Sequence, residues 1–298
     1  MRFRLVCFSL AVALLLLVPH RSTAWGFDVH RFITDKAIDL LPDGMKPFYQ
    51  HYRAFIVEHT IDPDLWRTAG WDDEPPRHFL DLDAYGAPPF DGLPRDFDRA
   101  IQQWGRDVIV KNGMLPWRTS EIFGLLQRSF AQQRQGGTTY ALENVKFYSA
   151  IIAHYVEDGH VPLHAVMNYD GQLTGQRGVH SRWESDLVVR VMPQLHLTPA
   201  APVPVTDPRS FMFDTLQASY PGAAVILKAD ALAIEGRDAY DDEYFKVLDR
   251  ETRPLLEQQL SKAISAVASM LQSAWDAGGR PDLPVDAPKP VQKVQRSK

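Results

Sequence analysis

The chain has 298 residues, 45% of them hydrophobic and 23% charged, ample for a buried core in one large domain or two small ones. Its net charge of −5 excludes a general attraction for nucleic acid or anionic lipid, so a phosphate-seeking site must make its own positive field. A single cysteine excludes a disulfide framework.

Residues 1–24 read as an export signal. Arg2 and Arg4 supply a basic start, residues 5–18 are apolar, and Ser22-Thr23-Ala24 offers small side chains at a cleavage point. An apolar run of about 14 residues is short of the roughly 20 needed to span a bilayer. Cys7 lies inside that run, too early to carry a lipid anchor. Cleavage after Ala24 predicts an exported protein, periplasmic or secreted, with no cysteine and no transmembrane segment. Three arginines leave with the signal, so 29 basic face 37 acidic side chains and the net charge becomes −8.

Trp25 then opens the mature chain, and a free amine is a nitrogen ligand whose own carbonyl can close a chelate. His30 follows five residues later, at the start of an amphipathic helix carrying Ile33, Ala37, Leu40 and Leu41. Pro42-Asp43-Gly44 ends it. A helix is expected from about Lys46 to Glu58, followed by a segment broken by Pro63, Pro75 and Pro76. Asp64 and His78 flank that segment. Arg67 stands one turn after Asp64, so both point to one place, and Phe79 beside His78 is placed to floor a cleft.

Helices are expected over 96–111 and 119–135, and a longer one from about Tyr140 whose stripe of Leu142, Val145, Tyr148, Ile151 and Ile152 is core. That helix carries His154 and Asp158 one turn apart on one face. His180 and Glu184 repeat the spacing, and His164 lies between the pairs after Pro162, which ends or bends a helix. Three imidazoles and two carboxylates at these intervals form a set of nitrogen and oxygen donors that zinc prefers. The helix after Glu184 runs to about Val191, and the connection around His196 is a solvated surface segment. Leu256, Leu260, Ile264, Val267, Leu271 and Trp275 keep helical spacing. Residues 278–298, rich in Pro and Lys and without periodicity, read as a disordered tail. With no internal repeat and no convincing strand, residues 25–277 are expected to form one all-α, multi-helix domain.

Trp25 at a cleavage point, then His30, Asp64, His78, His154, Asp158, His164, His180 and Glu184 in that order, closely resembles the zinc-dependent phospholipase C and single-strand nuclease superfamily. The resemblance runs from about residue 25 to 191 and implies an exported all-helical enzyme with about three zinc ions in one cleft. It implies that the amine and carbonyl of Trp25 hold one zinc with His30. Asp64, His78 and His154 would hold a second, with Asp158 bridging the two, and His164, His180 and Glu184 the third. It implies a zinc-activated water attacking a phosphodiester, oriented by Asp64, with Arg67 offsetting charge on the phosphoryl oxygens.

Where relatives carry Gly before the bridging aspartate and Gln-Pro after it, this chain has Glu157 and then Val161-Pro162. Glu157 adds a carboxylate whose direction the sequence leaves open, and His160 is an extra histidine, second to the ligands or at the surface. The HSRWE block and the lack of mature cysteine resemble the phospholipase branch. The spacing from Trp25 to His30, and Arg67, resemble the nuclease branch. The expected function is a zinc phosphodiesterase, phospholipase C-type slightly preferred, with a single-strand nuclease or nucleotidase as the alternative. Phe79 would bind the substrate, phospholipid or single-stranded nucleic acid, in a monomer with no stable nucleic-acid partner. The reading from another class is an exported zinc-binding protein without activity.

Overall fold

Apolar residues recurring at helical spacing dominate the sequence, and the backbone follows them: the fold is all-α, with no strand among the described residues. The computed structural model describes residues 25–136 and 139–285, so the export signal expected at 1–24 and the tail from 286 onward lie outside the described residues.

Four helices open the domain: α1 (Phe27–Asp39), α2 (Lys46–His51), α3 (Arg53–His59) and α4 (Asp62–Thr68). The single helix expected over 46–58 is broken at Tyr52, which leaves helical geometry while its ring packs on Phe48. A loop with two 3₁₀ turns leads to α5 (Phe97–Trp104) and α6 (Arg106–Lys111). One helix was expected there, but Gly105 takes φ +83, a left-handed conformation that ends the first helix and turns the chain into the second. Next come α7 (Leu115–Arg134), begun earlier than expected because Pro116 suits a first helical turn, and α8 (Thr139–Asp158). After a 3₁₀ turn at Pro162–Ala165, α9 covers residues 179–191, with a π-helical stretch at Arg182–Leu187. The C-terminal part consists of α10 (Pro208–Ser219), α11 (Pro221–Ile234) and α12 (Asp242–Ala277).

Helix α8 is the axis of the domain, packed by α1, α3, α7 and α12. Every residue from 149 to 158 is buried, so its last turns have no solvent face. Ala150, Ile151, Ile152, Ala153, Tyr155 and Val156 belong there on hydrophobic grounds alone. His154, Glu157 and Asp158 do not, because a buried ionisable group must find a partner or lose its charge. These three residues locate the site.

The connection between α9 and α10 runs along α12 and donates backbone N–H groups to a row of its side chains. Thr198, Val203 and Val205 bond Ser261, Ser269 and Ser273 at 3.0, 3.0 and 2.8 Å. His196 on this connection is solvated, with 91% of its side chain exposed. Residues 279–285, expected to be part of a disordered tail, lie on the body instead: Leu283 is buried and Trp275 Nε1 donates to the Pro281 carbonyl at 3.0 Å. No helix among the described residues is long and apolar enough to cross a membrane.

Candidate metal centre

Three groups of buried donors meet at the end of α8. His30 from α1, with His154 and Asp158 from α8, forms the first; Asp64 from α4, His78 and His154 form the second. His164 from the 3₁₀ turn, with His180 and Glu184 from α9, forms the third. Within each group the ligand atoms lie within 4.8 Å of one another. All eight ligand side chains expected from the sequence are therefore brought together, with His154 in reach of both the first and second groups.

Asp158 sits at the middle. Its Oδ2 is 2.9 Å from His78 Nδ1 and 3.3 Å from His154 Nε2, and its Oδ1 is 3.7 Å from both His30 Nε2 and His164 Nδ1. Burial raises the pKa of this carboxyl, but His154, His164 and His78 outweigh it and hold the group well below its ordinary value. His164 and His154 are shifted down, by burial first and then by neighbouring imidazoles, so both favour the neutral form that binds metal.

The donor geometry fits a small, tetrahedrally bound cation. Nε2 of His164 and Nε2 of His180 face each other at 3.1 Å, and His180 Nε2 is 2.9 Å from Glu184 Oε2. Nε2 of His154 lies 3.0 Å from Nδ1 of His78. Tetrahedral bonds of about 2.0–2.1 Å place two ligand nitrogens roughly 3.3 Å apart, close to these separations. Asp64 Oδ2, His154 Nδ1 and His164 Nδ1 are also buried without a hydrogen-bond partner, a costly arrangement in a core built for packing alone. The residues present fit zinc by donor type; the structure itself shows sites for metal ions rather than their identity.

Behind these donors stand further residues, of which the sequence singled out Glu157 and His160 but not Glu74 or Asp170. Glu74 lies fully buried, accepting hydrogen bonds from Tyr155 Oη and, at 2.7 Å, from Arg77 Nη1. It faces His78 Nε2 at 3.6 Å, which leaves His78 Nδ1 turned to Asp158 and the metal side. Burial pushes the Glu74 carboxyl up, but its bonds to His78, Tyr155 and Arg77 bring it down to about 2. Glu157 does point inward, at His30 Nδ1, at 2.5 Å. Asp170 accepts from the backbone N–H groups of Gly178 and His180 at 2.9 and 3.4 Å, fixing the turn that presents His180. His160 is neither a ligand nor a surface residue: it is buried, its Nδ1 2.8 Å from the Val156 carbonyl, facing a groove under the segment that contains His196.

Trp25 is fully buried, stacked obliquely on Trp183 at 5.5 Å, with its indole N–H donating to the Glu157 carbonyl at 2.9 Å. Gly26 N donates to Ser185 Oγ at 3.1 Å, so the start of the described chain is tied to both α8 and α9. The side chain is an anchor; ligation by its amine and carbonyl belongs to the functional proposal below.

A cleft of ≈ 530 Å³ opens onto the centre, lined by Arg67, His78, Phe79, Asp81, His164 and His180 among others. Arg67 Nη2 lies 2.9 Å from Asp64 Oδ1, so the two converge as their spacing implied. Phe79 is half-buried in the cleft wall, and its position is fixed by close backbone contact. Gly113, at φ +99, passes so near that a Cβ there would lie 2.1 Å from the Phe79 carbonyl oxygen. Leu80 N donates to the His164 carbonyl and Asp81 N to the Asn112 carbonyl, at 2.9 and 2.8 Å.

Asp81 is buried in the same wall, and burial, then the charge of Asp83, pushes its carboxyl up to about 7 from 3.8. A carboxyl raised on folding weakens the fold as pH climbs from its ordinary value to its folded one, and the full cost applies above about pH 7. Asp81→Asn should therefore stabilise the protein at pH 8 by on the order of 2–4 kcal/mol, with a smaller gain at pH 5. Thermal melts of both proteins at the two pH values check this; a pH-independent difference would contradict it.

No protein-family model matches the chain, and no curated protein matches it either.

Proposed function

We propose that this chain is a zinc-dependent phosphodiester hydrolase, exported and active as a monomer. The observation that supports this most is the convergence of three buried metal-type donor groups at the end of α8, beside a cleft that His78, His164 and His180 line together with Arg67. Bound zinc would supply a Lewis acid for phosphoryl oxygens and lower the pKa of an attacking water. Its holders would be His30, Asp158 and the amine and carbonyl of Trp25; Asp64, His78 and His154; and His164, His180 and Glu184.

The remaining chemistry belongs to the side chains. Asp64 is buried behind Arg67, whose Nη2 lies 2.9 Å from its Oδ1, and would accept a proton from water and orient the water's attack on phosphorus. Arg67 borders both the metal cleft and an adjoining groove, where its guanidinium can meet the charge that grows on the phosphoryl oxygens. Glu74 holds the His78 ring in one orientation, and Asp170 holds the turn of His180, so the donors are set before substrate arrives. The site lies in the low-dielectric end of a buried helix, which strengthens each of these interactions.

Between the two substrate classes, the cleft wall favours single-stranded nucleic acid or a nucleotide over the phospholipid that the HSRWE block suggests. Phe79 lines the cleft with the metal-side His78, and Asp81 and Asn112 line the same wall. A heteroaromatic base can use both an aromatic ring and polar groups, by stacking and by bonding through its edge, whereas an acyl glycerol would use only the apolar side chains of the cleft, Leu163, Met167 and Leu173 among them.

Metal-loaded protein should be assayed on a single-stranded oligonucleotide and on a short-chain phosphatidylcholine, each with wild type and Phe79→Ala. Stacking is worth about 1–3 kcal/mol, so the substitution should cost roughly 5–150-fold in kcat/KM on the oligonucleotide and less than about threefold on lipid. Equal losses, or cleavage of lipid alone, would restore the phospholipase reading. Protein that holds metal and cleaves neither would favour the non-catalytic zinc-binding reading.

A further inference from the structure

Glu157 stands beside the central Asp158 but turns toward α1. Its Oε2 lies 2.5 Å from His30 Nδ1, its Oε1 accepts the hydroxyl of Thr34 at 2.7 Å, and its carbonyl accepts the indole N–H of Trp25 at 2.9 Å. Thr34 follows His30 by one helical turn, so a single face of α1 presents both groups to this carboxylate. Thr34 Oγ1 in turn lies 3.0 Å from Thr60 Oγ1, whose hydroxyl donates to the Ala150 carbonyl at 3.2 Å. One residue of α8 therefore binds three points of the segment that begins at Trp25, His30 and Thr34 through its carboxylate and Trp25 through its backbone carbonyl.

The consequence falls on the imidazole. A neutral histidine has one N–H and one lone pair, and the partner of one nitrogen decides which is which. A carboxylate at Nδ1 holds the proton there and leaves the lone pair on Nε2, the nitrogen that faces Asp158 Oδ1 at 3.7 Å. We propose that Glu157 is the positioning residue of the first centre: its carboxylate commits His30 Nε2 to the metal, while its backbone carbonyl seats Trp25 beside it. This rests on the metal reading above. It reaches beyond it, because a carboxylate immediately before the bridging aspartate is a departure from the superfamily that this chain resembles. Glu157 does for His30 what Glu74 does for His78, through a shorter contact.

The test is metal affinity, read apart from activity. Purified wild type, Glu157→Ala, Glu157→Gln and Thr34→Val are loaded with zinc and titrated with a chelator, ions per chain being counted at each step. Removing an outer partner of a metal-bound histidine weakens binding by about 10–100-fold. Glu157→Ala should lose one ion of the three at correspondingly lower chelator concentration, and the other two at the wild-type concentration. Glutamine can still accept the Nδ1–H, so Glu157→Gln should recover most of that loss. Thr34→Val leaves Oε2 on His30 and should weaken the same ion by less than the alanine change does. If the alanine variant does not fold, the graded order of the other two at a single ion carries the test.

Unchanged chelator midpoints in the folded variants would overturn the positioning role, as would a lower melting temperature with all ions retained equally. Wild-type protein that takes up no metal would overturn the metal reading, and the positioning role with it.

Discussion

Asp158→Asn is expected, on the reading proposed above, to leave a protein that retains one metal ion of three and cleaves a phosphodiester at least about 10³-fold more slowly than wild type. The size follows from position. One carboxylate lies within 3.7 Å of four imidazoles, those of His30, His78, His154 and His164. Asparagine keeps the shape but replaces one acceptor oxygen by an N–H donor, which then points at a nitrogen lone pair. The first and second groups lose their shared charge, whereas His164, His180 and Glu184 keep a complete donor set of their own. Losing metal charge stabilisation worth several kcal/mol at the phosphoryl oxygens accounts for the rate, since each 1.36 kcal/mol is tenfold. The same change strands the buried His78 opposite a neutral partner, so stability should fall by about 3–5 kcal/mol. Elemental analysis, steady-state kinetics and a denaturant melt read the three consequences. A variant with full metal content and only a raised KM would show that Asp158 serves substrate binding instead.

Much of this arrangement is legible in the sequence. The His-x3-Asp and His-x3-Glu spacings place donors on one helix face whatever the helix packs against, so His154 with Asp158 and His180 with Glu184 were readable as pairs. Asp64 with Arg67 followed from the same geometry. What the spacing could not supply was direction around a helix that has no outside. Every residue from 149 to 158 is buried, so periodicity does not separate an inward from an outward face, and Glu157 could be placed only once α1 was seen against it. Glu74 was hidden for a different reason: it precedes two prolines in irregular backbone, where sequence spacing says little about direction. Asp81 reads as an ordinary loop acid until the close pass of Gly113 shows the loop to be walled in. The breaks at Tyr52 and Gly105 were missed because hydrophobic spacing continues across both. The placement of residues 279–285 rests on the burial of Leu283 and the bond from Trp275 to the Pro281 carbonyl, neither of which composition registers.

Removing the metals with a chelator should lower the melting temperature by tens of degrees, and the gap between metal-bound and stripped protein should widen as pH rises from about 6 to 9. Residues 25–298 contain no cysteine, so on the metal reading hydrophobic burial and metal together hold the fold. At ligand concentrations about 1,000 times Kd each ion contributes ~4 kcal/mol, so three contribute ~12, comparable with the whole stability of many domains. At roughly 2–4 °C per kcal/mol that is a shift of about 25–50 °C.

The pH dependence follows from two opposing trends. Metal is lost in acid because protons compete for the imidazoles, so the bound form gains as pH rises. In stripped protein His78 is raised to about 9: burial opposes its charge, but the bonds to Asp158 and Glu74 outweigh burial. A histidine raised on folding contributes stability that is complete below its ordinary value and is lost as pH climbs through the folded one. The stripped form should therefore melt lower at pH 9.5 than at pH 7. On the acid side, His160 is lowered by burial to about 4, and His154 and His164 are lowered too, so the stripped form weakens again as pH falls below about 6.5. Its stability should peak near neutrality, where that of the loaded form is still rising. Loading at pH 7.5 should also release the proton that His78 holds, visible as a dependence of binding heat on the ionisation enthalpy of the buffer. If both forms melt together across this range and no proton is released, the buried donors are an ion-pair network that stiffens the end of α8, and the cleft beside them has no metal to use.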